Sequence, residues 1–207
     1  TVNVDKTAPT PTATAATPTV TCTTPSTTLT AGGGTSYIWD NTLGTSATTS
    51  AVTPTTNTTY NVTVTAANGC TATKAITVNV DKTAPTPTAT AALPTVNCTT
   101  PNPTLVTTTV GSNLVYAWTP SGSGANLSIS TGGVYAVTVT NSVNGCTQKD
   151  NLEATSDLTL PTATASVSNG IDCNNTTAVI NATGSSSGVN FTYGWTGPGG
   201  FTSSAIN

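Results

Sequence analysis

The sequence predicts an all-β chain of tandem sandwich repeats about 76 residues long, on three observations. First, residues 1–29 and 77–105 match at 25 of 29 positions, and the register continues from Cys22 to Cys98 and from Cys70 to Cys146. Second, apolar residues alternate with period two rather than recurring at helical spacing. Third, Thr makes up 54 of the 207 residues, and Thr and Val fit a pleated strand better than a helix.

The register divides the chain into 1–5, read as the last strand of a preceding repeat, then repeats over 6–81 and 82–157, and a truncated third repeat over 158–207. The strands follow from the alternation. Tyr60, Val62 and Val64 share one face of a strand. Tyr135, Val137 and Val139 share another, and Ile76, Val78 and Val80 a third. Asn68-Gly69 and Asn144-Gly145 suit tight turns, because both residue types tolerate positive φ. Each repeat therefore closes with a hairpin. Weaker strands are expected near Thr27–Ala31, Leu105–Val110 and Leu127–Ser130. The Pro- and Thr-rich stretch Thr10–Thr19 is left open between strand and disorder.

A Tyr-x-Trp motif recurs as Tyr37/Trp39, Tyr116/Trp118 and Tyr193/Trp195. Residues two apart on a strand face the same side, so each pair is expected in the core of its repeat, with Tyr60 and Tyr135. A sugar-stacking platform is the competing reading. About seven short strands around a core Trp between two Cys fit an immunoglobulin-like sandwich. One departure is visible. Tyr60 and Tyr135 precede the second Cys by ten and eleven residues, not two. That Cys lies beyond the hairpin turn, so a disulfide there should pin the end of a sheet.

Cys22 and Cys70 are 48 residues apart, as are Cys98 and Cys146. Equal spacing in equal repeats predicts one disulfide within each repeat, with Cys173 unpaired by truncation. Closing such a loop would stabilise a small repeat by roughly 4 kcal/mol. It would also imply an oxidising compartment, extracellular or at the cell surface. A free buried Cys pair is the other reading. Zinc lacks clustered Cys and His spacing.

Charge excludes several functions. Only 5% of residues are charged, the net charge is −3, and there is no Arg or His. Nucleic acid needs Lys and Arg against phosphates. No apolar run reaches the 18 or so residues of a membrane helix. Without His there is no Ser-His-Asp or Cys-His catalyst. Asp150, Glu153 and Asp157, beside Lys149, read as a solvated face rather than a glycosidase pair. Each joint carries one Asp (Asp5, Asp81, Asp157), too few for calcium, which takes six to eight oxygen ligands. No cofactor and no catalysis are expected.

At Tyr60–Val80 (YNVTVTAANGCTATKAITVNV) and at Tyr135–Thr155 (YAVTVTNSVNGCTQKDNLEAT) the chain resembles the immunoglobulin-like and PKD-like repeats of large Bacteroidota cell-surface adhesins, including gliding-motility adhesins and other type IX secretion cargo. The resemblance implies a non-catalytic stalk or adhesive filament. Its partners would be neighbouring repeats, other copies in a filament, and surface glycans. The alternative is a set of carbohydrate-binding modules on a secreted enzyme. Completion of the third repeat by a strand from another chain is a further reading.

Overall fold

The computed structural model describes residues 5–205. The strand expected over 1–5 lies outside them, apart from Asp5. The chain forms two compact units, Thr1–Ser156 and Asp157–Asn207. Among the described residues every element is a strand, save a three-residue 3-10 turn at Pro198–Gly200.

The first unit contains two apolar cores. Around the first lie β1 (Thr12–Ala15), β2 (Thr19–Val20), β3 (Leu29–Gly32), β4 (Ser36–Trp39), β5 (Thr58–Thr65) and β6 (Thr71–Val80). They make a four-stranded sheet, ordered β2-β6-β5-β4, and a two-stranded sheet, β1-β3. The alternating face of β5 decides the packing. Tyr60, Val62 and Val64 are buried, and they meet Val20, Leu29, Ala31, Trp39, Val52 and Val78. The two sheets thus close on one core, each giving it alternate residues. The stretch Thr10–Thr19 is ordered through β1, which pairs antiparallel with β3 from Thr12↔Gly32 to Ala15↔Leu29.

The second core is enclosed by β7 (Thr88–Thr90), β8 (Thr95–Asn97), β9 (Thr104–Thr108), β10 (Leu114–Thr119), β11 (Asn126–Ser128), β12 (Gly133–Asn141) and β13 (Thr147–Asp157). The sheets run β10-β12-β13-β8 and β11-β9-β7. Tyr135, Val137 and Val139 are buried with Val96, Leu105, Trp118, Ile129 and Ala154. The hairpins β5–β6 and β12–β13 are antiparallel and close on the Asn-Gly turns, with Thr65↔Thr71 and Thr140↔Thr147 as their last pairs.

One pairing positions everything that follows. β2 runs parallel to β6 at the C-terminal end of β6, with Thr19↔Asn79 and Val20↔Val80. The chain leaving β2 therefore sits beside the chain leaving β6, and the Asp81 N–H donates to the Val20 carbonyl at 3.0 Å.

The second unit holds two small ribbons. β14 (Ser166–Val167) pairs with β15 (Ile180–Asn181), and β16 (Trp195–Gly197) with β17 (Phe201–Ser203). Side-chain hydrogen bonds carry much of its order. Ser185 Oγ accepts from the Thr164 N–H at 2.8 Å, and Ser186 Oγ from the Thr162 N–H at 2.9 Å.

Candidate functional site: a clasp between two cores

The expected pairs Cys22–Cys70 and Cys98–Cys146 are replaced by a single disulfide, Cys22–Cys146, across 124 residues. Cys70, Cys98 and Cys173 carry free thiols. The correction has a geometric cause. Cys22 follows β2, which lies at the C-terminal end of β6, whereas Cys70 precedes the N-terminal residue of β6. Ten strand residues separate those ends, about 30 Å at ~3.3 Å per residue. A disulfide needs Cα atoms within roughly 7 Å. The second core repeats the obstacle. Cys146 precedes β13, while β8 sits near its far end, where the Thr155 N–H donates to the Pro94 carbonyl at 2.8 Å.

The Asn144-Gly145-Cys146 turn instead reaches the joint ahead of its own core. Asn144 Nδ2 donates to Asp81 Oδ1 at 2.9 Å and to the Thr83 carbonyl at 3.0 Å. Its Oδ1 accepts from the Cys146 N–H at 2.9 Å, and its carbonyl accepts from the Cys22 N–H at 3.0 Å. Asn144 and Cys146 are each only 1% exposed. Gly145 has a φ of +69°, and an added Cβ would lie 2.2 Å from Thr23 Cγ2. A side chain here would thus meet both an unfavourable backbone conformation and a steric clash. Turn, joint and Cys22 loop form one packed clasp.

Both halves of the clasp occur elsewhere in the chain. Asn68 Nδ2 donates to the Thr7 carbonyl at 2.9 Å, and its Oδ1 accepts from the Cys70 N–H at 3.0 Å. The hydrogen bond from the Thr7 N–H at 3.0 Å, with the neighbouring Thr7 hydroxyl and Asn68 amide, holds the Asp5 carboxyl below its ordinary pKa. The loop half recurs twice. Thr21 Oγ1 accepts from the Thr24 N–H at 3.1 Å. Asn97 Oδ1 accepts from the N–H groups of Thr99 (3.0 Å) and Thr100 (2.7 Å). Asp172 Oδ1 accepts from those of Asn174 and Asn175, both at 2.7 Å. Those two bonds depress the Asp172 pKa.

Trp39 and Trp118 are 3% and 4% exposed, and their indole N–H groups donate to the carbonyls of Ser46 and Gly124. Tyr60 and Tyr135 are buried. Tyr37 and Tyr116 are half-buried and pack against the two cores. In the second unit Tyr193 and Trp195 are half-buried, and Trp195 Nε1 donates to the Ala205 carbonyl at 2.7 Å. Phe201 is exposed. Asp150 is drawn into the second core's hydrogen bonding, accepting from the Ala89 N–H at 2.8 Å. Glu153 is exposed. Among the described residues no three His, Cys, Asp or Glu side chains gather as a metal site. No helix there is long and apolar enough to cross a membrane.

No family model matches the chain, and no curated protein matches it. Solved structures do match. One comes from work described as structural insight into host cell surface retention of a 1.5-MDa bacterial ice-binding adhesin. It is 14% identical, with a TM-score of 0.38, over 72% of this chain and 62% of that one. The chain thus spans less than two thirds of that structure.

Proposed function

We propose that the chain is a structural or adhesive segment of a long bacterial surface protein, built of tandem immunoglobulin-like repeats and carrying no catalysis. The observation that carries this reading is the Cys22–Cys146 clasp. A covalent tie between successive cores resists separation under pull, which suits a spacer or filament better than a catalyst. It also requires an oxidising compartment, outside the cytoplasm. The low charge and the absence of His support the same reading.

The test is made in the native host. An antibody against the chain labels intact cells. Excising the segment in frame lowers surface attachment and leaves secreted enzyme activities unchanged. Labelling only after permeabilisation overturns the reading. So does glycan binding that is lost on Phe201→Ala, which would favour a carbohydrate-binding module.

A further inference from the structure

Tyr60 and Tyr135 hold the same place in successive hairpins, each the third residue of its strand. They are 6% and 7% exposed, and each ring belongs to its core. Their hydroxyls differ. That of Tyr135 donates to the Thr131 carbonyl at 2.9 Å and lies 3.1 Å from the Thr131 hydroxyl. Thr56 stands four residues before Tyr60, as Thr131 does before Tyr135. The Thr56 carbonyl, however, accepts from the Thr58 hydroxyl at 2.7 Å. Gly133 occupies the place of Thr58 in the second hairpin and has no hydroxyl to compete. Among the described residues the Tyr60 hydroxyl has no partner, and it is not sealed from solvent. Polar ends of buried side chains are normally bonded within the fold. This one is left for something outside it.

It opens on a groove of about 420 Å³, within the size range of small-molecule sites. Leu43, Val52 and Pro54 make an apolar floor, and Asn41, Thr53 and Thr58 a polar rim. No lining side chain is charged. The neighbouring charges are engaged elsewhere. Lys82 Nζ donates to the Pro54 carbonyl at 3.5 Å, and Asp40 accepts from Asn61 and Asn41.

We infer that this groove binds a ring of a neutral saccharide, with the Tyr60 hydroxyl as its central hydrogen-bonding group. A neutral lining offers nothing to compensate a phosphate, a carboxylate or an amine. A phenol both donates and accepts, as a sugar hydroxyl does. Ring C–H groups would rest on Leu43, Val52 and Pro54, with hydroxyls turned to Tyr60 and to the amide and hydroxyls of the rim. A Pro-rich peptide docks in an aromatic-lined groove, and here the Tyr60 ring is enclosed in the core. The second repeat lacks this feature, because the Tyr135 hydroxyl is already bonded. The inference deepens the adhesive reading by naming a partner, and it rests on that reading for its role at a cell surface.

The test uses the full chain with Cys22–Cys146 intact, labelled for amide NMR. It is titrated in turn with glucose, galactose, mannose and N-acetylglucosamine, and in parallel with N-acetylneuraminic acid and an oligoproline peptide. At least one neutral sugar should shift the Leu43, Thr53 and Thr58 amides saturably. Tyr60→Phe should weaken that binding about tenfold and leave the urea midpoint unchanged, because its hydroxyl holds nothing in the fold. Tyr135→Phe should lower the midpoint and leave the affinity unchanged. No shift with any of the four neutral sugars would overturn the inference. So would binding that Tyr60→Phe leaves intact, or shifts produced only by the acidic sugar or the peptide. A sugar-binding chain that fails to label at the cell surface would sink the adhesive reading and leave the site standing. Surface labelling without sugar binding would do the opposite.

Discussion

Replacing Asn144 by alanine strips three side-chain hydrogen bonds from a site that is 1% exposed. The Cys146 N–H and the Thr83 carbonyl lose their partner, and Asp81 Oδ1 keeps only the 3.5 Å bond from the Thr83 N–H. A neutral hydrogen bond is worth about 1 kcal/mol net, and one to a charged group about 2. The sum is about 4 kcal/mol. Asp81 is partly exposed, and water recovers part of its share. The expected loss is therefore ~3 kcal/mol. Asn68→Ala is the internal control. It removes two comparable bonds in the same kind of turn, but Asn68 is exposed, so water replaces both. Its expected cost is below about 1 kcal/mol. Urea titrations followed by the fluorescence of Trp39 and Trp118 measure the two side by side. Equal losses, or a larger loss at Asn68, would refute the argument that docking of the Cys22 loop is what makes the turn matter.

The remaining predictions concern the same unit and one loop of the other. Trp118→Ala opens the second core and should cost ~3–5 kcal/mol by denaturant titration. Thr107 is buried and its hydroxyl has no hydrogen-bond partner. Thr107→Val keeps the shape and should raise stability by about 1 kcal/mol; a loss would mean that the hydroxyl is satisfied. Gly145→Ala should slow oxidative closure of Cys22–Cys146, through both its φ and its contact with Thr23, and Gly69→Ala should not. Timed alkylation during refolding reads the difference. The Asp172 carboxyl has a depressed pKa, so its loop is stabilised above the unfolded carboxyl value and loses that stabilisation as pH falls through the folded pKa. The amide signals of Asn174 and Asn175 should shift in that acid window, and titration at an ordinary carboxyl pKa would contradict the assignment.

The hairpins were legible in the sequence because Tyr60-Val62-Val64 and Tyr135-Val137-Val139 alternate cleanly and end in Asn-Gly. Period two fixes both strand and face. β1 was not legible. Its TATA run carries no large apolar residue, and its order comes from pairing with β3. The disulfide pairing is not legible in the sequence for a related reason. Equal 48-residue spacing is a fact about the chain, whereas pairing is decided in space by the parallel contact of β2 with the far end of β6. One clue was present. The second Cys of each spacing lies past a hairpin turn, which places it at the end of its sheet. The partner of Asn144, Asp81, was visible only as a joint residue, because 63 positions separate them.

Disulfide mapping of the non-reduced protein tests the clasp most directly. Free thiols are blocked before digestion, and linked peptides are identified by mass. The account predicts one linked pair containing Cys22 and Cys146, with Cys70, Cys98 and Cys173 recovered as blocked thiols from the monomer. Recovery of Cys22 linked to Cys70, and of Cys98 linked to Cys146, would contradict it.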